Sequence, residues 1–149
     1  IYKDCEPRKE NTVSKIKVGI NGFGRIGRLA LRAAWGWPEL EFVAVNDPGA
    51  DTNTLAHLLN FDSVHGRWPT PVRAEEGALV LDGTSIRLSH EKTIEALPLA
   101  ELGVDLVIDA TGVFKTTAKT APYFAAGVKK VVVSAPIKEE GALNLVYRW

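Results

Sequence analysis

Residues 16–34, IKVGINGFGRIGRLALRAA, constrain the fold more than any other stretch of this chain. Ile16, Val18 and Ile20 alternate with Lys17 and Gly19, which is the period of a β-strand. Gly22-Phe23-Gly24-Arg25-Ile26-Gly27 follows at GxGxxG spacing. Ile26, Leu29, Ala30, Ala33 and Ala34 then recur at helical spacing, with Arg25, Arg28 and Arg32 on the other face. GxGxxG alone is a weak signal, and its place between a strand and a helix makes it informative. In that setting Gly22 permits a tight turn, Gly24 lets the main chain approach a pyrophosphate, and Gly27 lets the helix pack against the strand. The amides of Arg25 and Ile26 would open the helix, where unpaired N–H groups and the helix dipole attract phosphate oxygens.

The rest of the chain extends the same pattern. Gly36 and Pro38 are placed to stop the first helix, with Trp35 and Trp37 available to cover its end. EFVAVND reads as a parallel strand buried on both faces, completing a βαβ unit at Asn46. Asp47 follows, twenty residues after Gly27, where a carboxylate can accept hydrogen bonds from the adenosine ribose and repel a 2′-phosphate. That pattern favours NAD over NADP. DTNTLAHLLN predicts a helix capped by Asp51 and Thr52. The period then changes to two over VRAEEGALVLDGTSIRLS, where Asp82-Gly83 suits a hairpin turn with positive φ at both residues.

VDLVIDATG is a second buried-type strand, ending in Thr111 and Gly112, where a backbone can come close to a ligand. Pro122 in TAPYFAAG predicts a helix whose first turn lies near 120–122, closed by Gly127. KKVVVSAP is a further strand with Ser134 at its carboxyl end. The fold class is therefore α/β, a Rossmann-type doubly wound and mostly parallel sheet with an antiparallel hairpin insertion. Residues 1–14 form a polar N-terminal tail, and 15–149 form the dinucleotide-binding domain.

Composition narrows the function further. Lys plus Arg equal Asp plus Glu at 18 each, so no long-range attraction for nucleic acid or an anionic membrane is expected. No apolar run reaches the length of a membrane span, and the first residues lack the apolar core of a secretory signal, so a cytoplasmic setting is expected. Cys5 is the sole cysteine, which excludes an intrachain disulfide or a thiolate-cluster metal site. His57, His65 and His90 are scattered and read as structural or surface residues. Arg28 and Arg32 read as a solvated helix face or as contacts to structure outside the chain.

The blocks KIKVGINGFGRIGRLALRAA, VAVNDP, LAHLLNFDSVHGR, DATGVF and GVKKVVVSAP together resemble the N-terminal NAD-binding domain of phosphorylating glyceraldehyde-3-phosphate dehydrogenases, over 15–137. The resemblance implies a cofactor site of Gly22, Phe23, Gly24, Arg25, Ile26, Gly27, Asn46, Asp47, Thr111, Gly112 and Ser134. Arg25 and Ile26 would hold the pyrophosphate, Asp47 the ribose, and Ser134 the region near the nicotinamide. It also implies a homo-oligomeric, tetrameric parent that oxidises glyceraldehyde 3-phosphate through a cysteine and passes hydride to NAD. Two departures qualify this. Glu91 stands where the family usually places an adenine-contacting arginine, and the chain ends LNLVYRW without the family's serine-cysteine-threonine-threonine-asparagine block. No catalytic residue is therefore assigned, and Cys5, in a polar tail without a partner histidine, does not substitute. WGWPELEF and APIKEEGALN resemble a branch associated with arsenic resistance. The chain beginning with Ile and lacking that block reads as a partial product, inactive alone and prone to associate. A standalone nucleotide-binding module and a non-functional gene fragment are the alternatives.

Overall fold

The computed structural model describes residues 14–146, so Cys5 and nearly all of the tail assigned to 1–14 lie outside the described residues. A seven-stranded sheet of order β5-β6-β7-β2-β1-β8-β9 forms the centre. Its strands are β1 (Ile16–Asn21), β2 (Leu40–Asn46), β5 (Val72–Glu75), β6 (Ala78–Leu81), β7 (Thr84–Ser89), β8 (Leu106–Asp109) and β9 (Lys130–Val133). A separate two-residue pair, β3 (Phe61–Asp62) and β4 (Gly66–Arg67), forms a small antiparallel ladder. β7, β2, β1, β8 and β9 run parallel, whereas β5 and β6 are antiparallel to their neighbours.

The helices are α1 (Arg25–Ala34), α2 (Thr52–Asn60), α3 (Leu99–Leu102) and α4 (Thr117–Ala125), with a 3₁₀ turn at Ile94–Ala96. One face of the sheet buries Val18, Ile20 and Val45 with Leu31 of α1, Leu55 and Leu59 of α2, and Leu79, Leu81 and Ile86 of the hairpin strands. The other face buries Ala44 and Val107 with Ile94, Leu99 of α3 and Tyr123 of α4. Both faces are covered, which is why the parallel strands read as near-continuous apolar runs. β2 carries one extra residue: Val18 opposes Phe42 but Gly19 opposes Ala44, a bulge that skips Val43.

Several expectations are refined by the structure. Asp82 (φ 48) and Gly83 (φ 80) both have positive φ, as the turn requires. The antiparallel hairpin insertion is present: β5, β6 and β7 pair antiparallel in succession as a meander, and β7 joins the main sheet parallel to β2. α4 starts at Thr117, not near 120–122: the Thr116 hydroxyl accepts from the Lys119 amide at 3.1 Å, so Pro122 sits inside the helix. A good cap at Thr116 outweighed the amide lost at a single interior proline. α1 does end before Gly36, but without a left-handed glycine. The Trp37 amide instead donates to the Ala34 carbonyl at 3.1 Å, and Trp35 packs on Phe42 and Trp68.

Arg32 is not a solvated side chain. Its guanidinium donates to the carbonyls of Leu59 (2.9 Å), Asn60 (2.9 Å) and Gly66 (3.0 Å), and it lies over the Trp68 ring. It thus caps the carboxyl end of α2, where cations are favoured, and joins α2 to α1. Arg32→Ala should lower unfolding stability by about 2 kcal/mol, because three carbonyls lose a charged donor. Arg32→Lys should recover less than half of it, since an ammonium lacks the planar fork. Urea unfolding measures both, and an alanine variant as stable as the parent would refute the capping role.

Candidate functional site

β1 is flanked by β2 on one side and by β8 on the other, so the winding direction of the chain reverses at its carboxyl end. That reversal is where open α/β sheets place their ligand crevice. The glycine loop occupies it. Gly22 has φ +89, and a Cβ there would lie 2.6 Å from the Thr111 amide nitrogen. Gly27 is buried in α1, and a Cβ there would lie 2.2 Å from the Gly22 carbonyl oxygen. A Cβ on Gly24 would meet nothing within 4 Å. The first and third glycines are therefore required by packing, whereas a side chain on the middle one would meet only open space.

Gly24, Arg25 and Ile26 are exposed, while Phe23 is fully buried and anchors the loop in the core. No side chain caps α1 at Gly24. Among the described residues the amides of Arg25 and Ile26 meet no protein acceptor. The Arg25 side chain is turned away toward Asp62, 3.4 Å distant, whose carboxyl the amides of His65 and Val64 hold below the usual carboxylate range. The Arg28 guanidinium donates to the Phe23 carbonyl at 3.1 Å and so braces the loop from behind.

Asp47 faces the loop from the end of β2. Its Oδ2 accepts from the Phe23 amide at 2.9 Å and its Oδ1 from the Gly49 amide at 2.7 Å. Both oxygens retain lone pairs, and the residue is half-buried. Nδ1 of His90 lies 2.8 Å from the Asp47 carbonyl oxygen, which can only accept, so Nδ1 is the donor in that contact. Asn46 is buried and committed: its Nδ2 donates to Asn21 Oδ1 and the Glu91 carbonyl, and its Oδ1 accepts from Ser89 Oγ and the Glu91 amide. On the opposite wall, Thr111 is half-buried, Gly112 (φ +70) is open to solvent, and Ser134 is exposed just past β9, its amide bonded to the Asp109 carbonyl.

The match to known proteins decides what this frame is. Residues 16–117 match the family model described as glyceraldehyde 3-phosphate dehydrogenase, NAD binding domain. The chain belongs to that family. Relatives called glyceraldehyde-3-phosphate dehydrogenase include one from Nostoc, 54% identical over 89% of this chain and 39% of its own length. One from Geobacillus stearothermophilus is 50% identical over 84% of this chain and 37% of its own. A third, from Coccidioides posadasii, is 49% identical over 81% of this chain and 36% of its own. The chain thus spans less than two-fifths of the length of these relatives.

The cofactor of this glyceraldehyde-3-phosphate dehydrogenase domain family is NAD. The residues present fit it: unpartnered amides at the start of α1, an exposed glycine with free space before it, and a carboxylate across the crevice. Among the described residues no group of three or more His, Cys, Asp or Glu side chains could hold a metal ion, and no helix is long and apolar enough to cross a membrane.

Sequence reasoning missed Asn21, Asp109 and Tyr123. Tyr123 Oη donates to Asp109 Oδ2 at 2.6 Å and accepts from Asn21 Nδ2 at 2.7 Å, all three buried. Burial, and after it the bond to Asp109, raises the Tyr123 pKa well above that of an ordinary phenol, so its proton stays in place. Polar residues ending the apolar strands IKVGIN and LVID were the available signal.

Proposed function

We propose that this chain binds NAD and forms the cofactor-holding part of a phosphorylating glyceraldehyde-3-phosphate dehydrogenase. The observation that carries the reading is the unpartnered start of α1 opening onto free space at Gly24, with Asp47 fixed opposite. In this reading the amides of Arg25 and Ile26 receive the pyrophosphate oxygens. Gly22, Phe23 and Gly27 hold the loop in shape, and Asp47 accepts the adenosine ribose hydroxyls. Asn46 acts through Asp47, and Thr111, Gly112 and Ser134 line the side toward the nicotinamide.

NAD, once bound, supplies the ring that accepts hydride. This chain's residues bind and orient it, while the thiol that attacks the aldehyde and the contacts to glyceraldehyde 3-phosphate come from outside residues 14–146, which hold no cysteine. Cys5, in a polar stretch of sequence without a partner histidine, does not supply that thiol, so the chain alone is inactive in this reading, and a cytoplasmic, tetrameric parent is its context. Support for association comes from exposed apolar side chains on the edge strand and beyond it, Val132, Leu143 and Leu145.

Gly24→Val tests the reading. Its side chain enters free space, so circular dichroism and the unfolding midpoint should match the parent. Titration calorimetry should show NAD binding by the parent and a loss of about hundredfold or more in the variant, since two methyl groups would displace the phosphate. A folded parent giving no heat with NAD, or a variant binding as tightly, would end the proposal.

A further inference from the structure

The side chains at the ends of the central strands form one directed hydrogen-bond chain. Ser89 Oγ donates to Asn46 Oδ1 (2.9 Å), Asn46 Nδ2 to Asn21 Oδ1 (2.9 Å), Asn21 Nδ2 to Tyr123 Oη (2.7 Å), and Tyr123 Oη to Asp109 Oδ2 (2.6 Å). Every donor points toward the carboxylate, the arrangement in which neighbouring hydrogen bonds polarise and strengthen one another. Asp109 Oδ1 meanwhile accepts from the Thr111 amide (3.0 Å) and hydroxyl (2.7 Å), and Thr111 Oγ1 accepts from the Val113 amide (3.1 Å). Asn21 precedes Gly22, Asn46 precedes Asp47, and Asp109 stands two residues before Thr111. Each member is thus joined to a segment that borders the crevice, and Tyr123 reaches in from α4 to link the β1 wall to the β8 wall.

We propose that Tyr123, through Asn21 and Asp109, is a positioning residue that sets the spacing between the glycine loop and the 111–113 loop, so that the crevice accepts both halves of NAD at once. The inference rests on the NAD-binding reading above and assigns to Tyr123 no contact with the dinucleotide. The Asn21–Asn46 bond alone fixes the adenosine side. The Tyr123 bonds add the nicotinamide side.

Tyr123→Phe keeps the buried ring and removes only the shared oxygen. For the chain with this substitution, calorimetry should show NAD binding three- to tenfold weaker, the size of one or two lost hydrogen bonds. Affinity for AMP, which needs only the glycine loop and Asp47, should stay within about twofold. A purely structural role would lower the melting temperature and leave both affinities unchanged, or weaken both alike; either result overturns the inference. A parent chain that binds AMP and NAD while the variant matches it in both overturns the inference and leaves the binding reading intact. A folded parent that binds neither removes both. If Tyr123→Phe does not fold, hydrogen exchange on the parent decides. Slow exchange of the Thr111 amide before NAD is added supports a preset loop, and exchange as fast as that of Gly112 overturns it.

Discussion

Gly27→Ala should destabilise the fold by about 3 kcal/mol and lower its melting temperature by roughly 10 °C, a large effect for one methyl group. The added carbon would stand 2.2 Å from the carbonyl oxygen of Gly22, and that oxygen is part of a backbone that cannot step aside. Gly22 is itself held between Thr111 and the end of β1, where its amide donates to the Asn46 carbonyl at 2.9 Å. Relief would have to come from α1 lifting off the sheet, which would uncover Leu31, fully buried beneath it. Gly22→Ala should fail at least as badly, because it combines a 2.6 Å backbone clash with φ +89, a conformation side chains resist. Gly24→Ala should be silent in the same thermal melt. If Gly27→Ala melts with the parent, the close approach of loop and helix is wrong.

Asp109→Ala should cost about 4 kcal/mol in chemical unfolding, the largest single-residue loss expected in this chain. The carboxylate has no solvent exposure and accepts three hydrogen bonds. Its removal strands the proton of the buried Tyr123 hydroxyl and takes the acceptor from the Thr111 amide and hydroxyl. Asp109→Asn keeps the shape and one acceptor, and turns an amide N–H toward a tyrosine that can reverse its own proton only by giving up its acceptance from Asn21. About half the loss is expected for that variant. An alanine variant within about 1 kcal/mol of the parent would show that the buried chain contributes little.

How much of this was legible in the sequence varies from residue to residue. The βαβ unit, the roles of Gly22 and Gly27, the cap at Asp51 and the Asp82-Gly83 turn follow from local chemistry within a few residues, and all are present. Where a distant partner decides, the sequence is silent. Nothing near Arg32 announces that its guanidinium will meet carbonyls 27, 28 and 34 residues away, and nothing near Asn21 points to a tyrosine 102 residues on. His90 read as a surface residue for the same reason, and it is exposed, yet the meander carries it to the Asp47 carbonyl. Glu91 has its backbone pinned by Asn46 on both its amide and its carbonyl. Pro122 misled because proline signals where a helix prefers to begin, and a threonine cap earlier in the chain was the stronger determinant.

The surplus residue at Val43 acts on the cofactor crevice from a distance. Upstream of it β1 and β2 are paired one step out of phase with their pairing downstream. Were Val43 paired with Gly19 instead of skipped, the lower register would carry through and set Val45, not Asn46, opposite Asn21. An apolar side chain would then face a buried amide, and the carboxylate of the following turn would arrive displaced by about one strand step, ~3.3 Å. A one-residue offset in the middle of a strand thus works as a vernier: it aligns two asparagines further along the ladder, and drawing Val43 into regular pairing would detune the nucleotide crevice without touching any residue that borders it.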